Sequence, residues 1–116
     1  MIGIDLIKVE RMKRLMERFN DKALQKFLNP SEIKLIKNHK TASGFWAAKE
    51  ACSKALGTGI GSECSFHDIE ISKTLKGAPV ITLSEKIVKK FSIEDVSLSI
   101  THDGDYAIAV VAIQRV

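Results

Sequence analysis

The stretch from Thr41 to Leu56 constrains this chain more than any other. Phe45, Ala48, Cys52, Ala55 and Leu56 recur at helical spacing along one side, and Lys49, Glu50, Ser53 and Lys54 lie along another. Gly57-Thr58-Gly59-Ile60-Gly61 follows and stops the helix, because glycine accepts the positive φ of a C-terminal cap. Thr41 or Ser43 is available as its N-terminal cap.

The remaining periods supply a sheet. Met1 to Leu6 alternates as a short strand, with Ile2, Ile4 and Leu6 on one face and Gly3 and Asp5 on the other. From Ile7 the spacing turns helical through Val9, Met12, Met16 and Phe19, and Asn20-Asp21 interrupts it. A helical turn through Leu24, Phe27 and Leu28 comes next. Asn29-Pro30-Ser31-Glu32 restarts a helix from about Ser31 to Asn38. His67–Ser72 and Val80–Leu83 read as strands joined through Lys76-Gly77-Ala78-Pro79, and Ser84 caps a short helix carrying Ile87, Val88 and Phe91. Val96–Thr101 and Tyr106–Ile113 form a hairpin about Asp103-Gly104. The expected class is α+β, a mainly antiparallel sheet packed against a long central helix, in a single domain over residues 1–116.

Charge and composition narrow the function less. The net charge of +4 favours an anionic partner, whether nucleic acid, phosphorylated cofactor or acidic protein. No apolar run approaches the roughly 20 residues that cross a bilayer, and no basic leader precedes an apolar core, so no membrane role is expected. Cys52 and Cys64 fit no zinc spacing and read as reduced thiols of a cytoplasmic protein.

Three islands could carry chemistry: Gly3-Ile4-Asp5 with Arg11, the run Ala47 to Ile60, and Ser99-Ile100-Thr101-His102. Asp5 and Glu50 are hard oxygen donors of the kind Mg²⁺ uses beside substrate phosphates. Each also has a plain reading. Asp5 suits the outward face of its strand, and Glu50 with Lys54 suits a helix-surface ion pair at i and i+4. His102 beside Asp103-Gly104 suits a turn, and Phe45-Trp46 suits packing. Lys49 and Lys54 are either a solvated face or phosphate ligands. Gly57-Thr58-Gly59 follows a helix rather than opening one, and no Walker or dinucleotide fingerprint exists. The basic stripe Lys8, Arg11, Lys13, Arg14 and Arg18 is a solvated face or a dock for an acidic helix.

Taken in order, the islands resemble the holo-[acyl-carrier-protein] synthase group of the 4′-phosphopantetheinyl transferase superfamily. Gly3-Ile4-Asp5 with Arg11, Phe45-Trp46-Ala47-Ala48-Lys49-Glu50-Ala51, Lys54-Ala55-Leu56-Gly57-Thr58-Gly59-Ile60 and Ser99-Ile100-Thr101-His102 before Tyr106-Ala107 carry the likeness. Phe66-His67-Asp68-Ile69-Glu70-Ile71 with Gly77-Ala78-Pro79 resembles the family's central hairpin. The resemblance implies transfer of phosphopantetheine from coenzyme A to a serine of apo-acyl carrier protein. It implies Mg²⁺ on Asp5 and Glu50, with Lys54 beside the phosphates as a catalytic residue. Cofactor contacts fall on Lys49, Lys54, Gly57, Thr58 and His102. Arg11 would engage the acidic carrier protein, with Arg14 and Arg18 extending that surface, and the assembly would be a homotrimer with each active site at a subunit boundary. Family members often place arginine just before the phenylalanine/tryptophan-alanine-alanine-lysine core, where this chain has Gly44-Phe45-Trp46. A cationic contact to the cofactor or carrier would then be absent or supplied by Lys37 or Lys40. The proton acceptor for the carrier serine stays open between Glu50 and a metal-associated water.

Two other classes compete. The positive charge suits an RNA- or DNA-binding α+β domain, although strand aromatics for base stacking are missing, so no nucleic-acid partner is expected. The same carboxylates would also serve a different Mg²⁺-dependent phosphotransferase.

Overall fold

A computed structural model describes residues 1–116. The chain runs through β1 (Ile2–Lys8), α1 (Val9–Phe19), α2 (Asp21–Phe27), α3 (Pro30–Ile33) and α4 (His39–Leu56). A 3₁₀ turn at Phe66–Asp68 leads to β2 (Ile69–Lys73), β3 (Pro79–Leu83), α5 (Glu85–Phe91), β4 (Ile93–Asp103) and β5 (Tyr106–Arg115). The strands form a three-stranded sheet ordered β1-β5-β4 and a separate β2-β3 hairpin, with every pairing antiparallel. The α+β class and the helix-on-sheet packing expected from the periodicity are both present.

The helix α4 starts two residues earlier than expected. Asn38 caps it, its Oδ1 accepting from the backbone amides of Lys40 and Thr41 at 3.0 Å each, so neither Thr41 nor Ser43 is needed there. Gly57 closes it at φ 79°. The helix expected over residues 31–38 ends at Ile33, with turns following it, and Leu35 and Ile36 pack only partly against the core.

Packing corrects one expectation about β1. Its apolar residues Ile2, Ile4 and Leu6 are 72%, 60% and 55% exposed, whereas Gly3, Asp5 and Ile7 face inward. Gly3 is the reason the strand sits this way up. A Cβ built there would lie 1.9 Å from the Ala51 carbonyl oxygen, so β1 rests directly on the backbone of α4. The inner face continues through Ala107, Ala109, Val111 and Ile113 of β5, all buried. Cys52 and Cys64 are free and buried, and burial pushes their thiols up to about 12 and about 11.

Candidate functional site

Because β1 lies on the second half of α4, Asp5 meets the helix surface at Lys54. The Lys54 ammonium donates to Asp5 Oδ1 at 2.8 Å and to the Ile4 carbonyl at 3.2 Å. The simple i,i+4 pairing of Glu50 with Lys54 is therefore not what the helix uses. Glu50 stands in the same corner. Burial pushes its carboxyl above the usual range and the negative charge of Asp5 adds to this, while Lys54 and Arg11 oppose it. Two carboxylates and an ammonium thus converge from a strand and a helix that only the fold brings together.

The donor set suits a particular kind of ion. No group of three or more His, Cys, Asp and Glu side chains gathers anywhere in the chain, which argues against a cage built wholly of protein ligands. Two hard carboxylates that leave most positions to water and to substrate phosphates match the habit of Mg²⁺.

Lys49 is a correction. The resemblance put it beside the cofactor, but its side chain is 0% exposed. Its ammonium donates to Glu32 Oε1 at 2.7 Å and to the Phe66 carbonyl at 3.0 Å. With both bonds made inside the protein and no surface left, Lys49 has nothing to offer a ligand. Burial lowers its pKa, and Glu32 opposes that shift.

The glycine turn is also committed elsewhere. The amides of Gly57, Thr58 and Gly59 all turn back to the carbonyls of Ser53 and Lys54, so they cap α4 rather than cradle a phosphate. Thr58 Oγ1 donates to the Gly59 carbonyl at 2.7 Å.

His102 sits near the other end of α4. Its Nε2 donates to the Lys40 carbonyl at 2.9 Å, and Gly44 leaves the ring room, since a Cβ there would approach Nε2 to 3.3 Å. Thr41, Gly44, Lys73, Pro79, Ile100 and His102 line a cleft of about 210 Å³ floored by the buried Phe45. From Gly44 to Lys54 is ten residues of helix, about 15 Å at the usual rise, so His102 and the Asp5 corner stand well apart. Neither Lys37 nor Lys40 lines this cleft with its side chain. Lys73, on the β2-β3 hairpin, is its cation. Sequence reasoning missed Lys73, although its place just before the Lys76-Gly77-Ala78-Pro79 connection was the available signal.

Arg11, Arg14 and Arg18 line one cleft. With Lys8, Leu15, Tyr106 and the acidic Glu10 and Asp105 they bound a volume of about 600 Å³ along α1, where Arg14 pairs with Glu10 at 3.4 Å. Arg11 lies 6.0 Å from the Trp46 ring centre, and Trp46 packs on Phe27 and Phe66 at 5.1 and 4.9 Å. Arg11 therefore stands between this basic face and Glu50, whose charge it favours.

Residues 1–111 match the model of the 4′-phosphopantetheinyl transferase superfamily. The chain belongs to that superfamily. A holo-[acyl-carrier-protein] synthase of Sulfurimonas denitrificans is 68% identical over 114 residues, covering 98% of this chain and 94% of that one. The Helicobacter pylori holo-[acyl-carrier-protein] synthase, solved in complex with coenzyme A, superposes with a TM-score of 0.96 at 50% identity, covering 98% of this chain and all of that one. A Bacillus anthracis synthase solved with coenzyme A (3′,5′-ADP) gives 0.84 at 34% identity, covering 99% and 96% of the two chains. Within the superfamily the chain falls with the holo-[acyl-carrier-protein] synthases, which favours the transferase over both competing classes. No helix is long and apolar enough to cross a membrane.

Proposed function

We propose that residues 1–116 work as one domain that carries out the holo-[acyl-carrier-protein] synthase reaction at the corner formed by Asp5, Glu50 and Lys54. The observation that carries the assignment is the convergence of these three side chains across the β1–α4 junction. The reaction transfers 4′-phosphopantetheine from coenzyme A to a serine of apo-acyl carrier protein and releases adenosine 3′,5′-bisphosphate. A bond forms between the serine oxygen and the β-phosphorus. The pyrophosphate bridge breaks, and its electron pair leaves with the nucleotide.

Asp5 and Glu50 are the residues that would hold Mg²⁺. When bound, the ion supplies Lewis-acid stabilisation of charge on the pyrophosphate oxygens. Lys54 is half exposed and long enough to turn from Asp5 towards a phosphate, where its ammonium offsets charge on the departing nucleotide. The serine proton passes to Glu50 or to a metal-associated water. No nucleophile of the protein's own is required, because phosphoryl transfer depends on positioning and charge stabilisation.

The cleft at His102 and Lys73 receives a distal, anionic part of coenzyme A. Arg11, Arg14 and Arg18 receive an acidic helix of the carrier protein. A homotrimer accounts for the exposed Ile2, Ile4 and Leu6, which lie across from Ala112, Val110 and Ile108 on the outer face of the sheet and need cover. A subunit boundary also lets the His102 cleft of one copy serve the Asp5 corner of another. Two reduced, buried thiols suit a cytoplasmic enzyme.

Incubation with Mg²⁺, coenzyme A and an apo-carrier protein tests the reading. The carrier should gain the mass of phosphopantetheine, and chelation of the metal should stop the gain. A competent carrier left unmodified would overturn it. Sedimentation of the wild type as a monomer at micromolar concentration would overturn the trimer.

A further inference from the structure

The Glu32–Lys49 pair is the one fully buried ion pair in the chain, and the proposed chemistry uses neither residue. Its wiring is complete. Glu32 Oε1 accepts from Lys49 Nζ and from the Asn29 amide, both at 2.7 Å, and Oε2 accepts from the Ile71 amide at 2.8 Å. Lys49 adds its bond to the Phe66 carbonyl. The pair thus ties α4 to the start of α3, to the 3₁₀ turn and to β2, and no buried side-chain polar atom is left without a partner.

Stability alone is a poor reason for such a pair. Well-packed apolar replacements of buried ion pairs are often neutral or stabilising, because taking two charges out of water costs more than their attraction returns. Direction is what a hydrogen-bonded pair adds. Where α4 meets the sheet its residues are small, Gly44 against Ile100 and Ala51 and Ala55 against the bare backbone of Gly3, with Ala47 and Ala48 buried beside them. Small side chains make shallow ridges, so a directional bond adds to the packing of the buried Phe45, Cys52 and Leu56 in setting the helix's roll.

Roll matters because Glu50 follows Lys49 in sequence and projects about 100° further round the helix. A side-chain tip stands about 6 Å from a helix axis, so a 10° roll displaces it by about 1 Å. A displacement of that size costs roughly 100-fold in rate where reacting groups must be held in register. We propose that the buried Glu32–Lys49 pair is a positioning device that fixes the roll of α4 and so aims Glu50 at Asp5. The proposal rests on the reading of Asp5 and Glu50 as the metal-holding corner.

The test uses Lys49→Met with Glu32→Gln in the full chain, and Glu32→Gln alone as a milder variant. Three quantities are compared with wild type: urea stability, Mn²⁺ affinity by electron paramagnetic resonance, and the kcat and KM of carrier modification. A folded variant should bind Mn²⁺ about tenfold more weakly and lose roughly 100-fold in kcat, with both substrate KM values within about threefold of wild type. A purely structural pair would change urea stability and leave the Mn²⁺ affinity and kcat of the folded protein alone, and that result overturns the proposal. Failure of both variants to fold would make the pair a stability element and overturn it equally. Wild-type protein whose Mn²⁺ binding is indifferent to Asp5→Asn would instead overturn the underlying reading of the corner, a separate outcome visible before any Lys49 variant is made.

Discussion

Lys49 and Lys54 stand five residues apart on one helix, each within hydrogen-bond distance of one carboxylate, yet their surroundings are opposite. Lys49 meets Glu32 with neither side chain exposed, and no buried side-chain polar atom there lacks a partner. Lys54 meets Asp5 at nearly the same distance with half its side chain in solvent. The first pair is locked by the Asn29 and Ile71 amides and the Phe66 carbonyl. The second has one further bond, from Lys54 to the Ile4 carbonyl, and stands at the surface. Distance between charges therefore says little about role, and the number of alternative partners says more.

The difference can be broken at its stronger side first. Lys49→Ala leaves the Glu32 carboxylate buried without its counter-charge and should cost about 3–5 kcal/mol in urea unfolding. Gly3→Ala comes next. The new methyl must displace β1 from the Ala51 carbonyl, costing about 1–3 kcal/mol as overpacking, and it carries Asp5 away from Lys54, so transfer falls with stability. Lys54→Ala should give the reverse profile to Lys49→Ala. Its stability should stay within about 1 kcal/mol of wild type, while carrier modification slows roughly 100-fold.

A third carboxylate sharpens the contrast by pH. Burial would raise Asp68, but bonds from the Ser65 amide, the Ser84 and Ser65 hydroxyls and Lys86 outweigh it and hold its pKa below the ordinary 3.8. A depressed folded value means that Asp68 contributes stability fully above pH 3.8 and loses it as the pH falls below that. Asp68→Asn should therefore flatten the acid limb of a stability–pH curve below pH 4 by a small amount, with no change at Lys54. An unchanged limb would show that the Asp68 contacts contribute nothing.

Much of this was legible in the sequence, and the failures share a cause. The helix α4 could be read because its period and its glycine stop are local signals. The Asp103-Gly104 hairpin could be read for the same reason. The orientation of β1 was harder, since Ile2, Ile4 and Leu6 look like a core face by alternation alone, yet they are exposed. The decisive clue was Gly3, whose missing side chain marks the face that touches α4. Lys49 was unreadable locally. Its partner Glu32 lies in another element, and the bonds that lock Glu32 come from Asn29 and from Ile71, far along the chain. Asp5 and Glu50 were visible as residue types of the right chemistry, but only the β1–α4 contact brings them into one corner. The resemblance anticipated that meeting, and it also carried Lys49 to the cofactor, which burial corrects.

The role of that corner is tested most directly by the rate at which folded Asp5→Asn protein modifies an apo-carrier, followed by mass spectrometry with coenzyme A and Mg²⁺ present. Loss of the carboxylate charge should lower the rate by at least about 100-fold while the circular dichroism spectrum matches wild type. A folded Asp5→Asn variant that adds phosphopantetheine at the wild-type rate would contradict the assignment of Asp5, Glu50 and Lys54 as the transfer site.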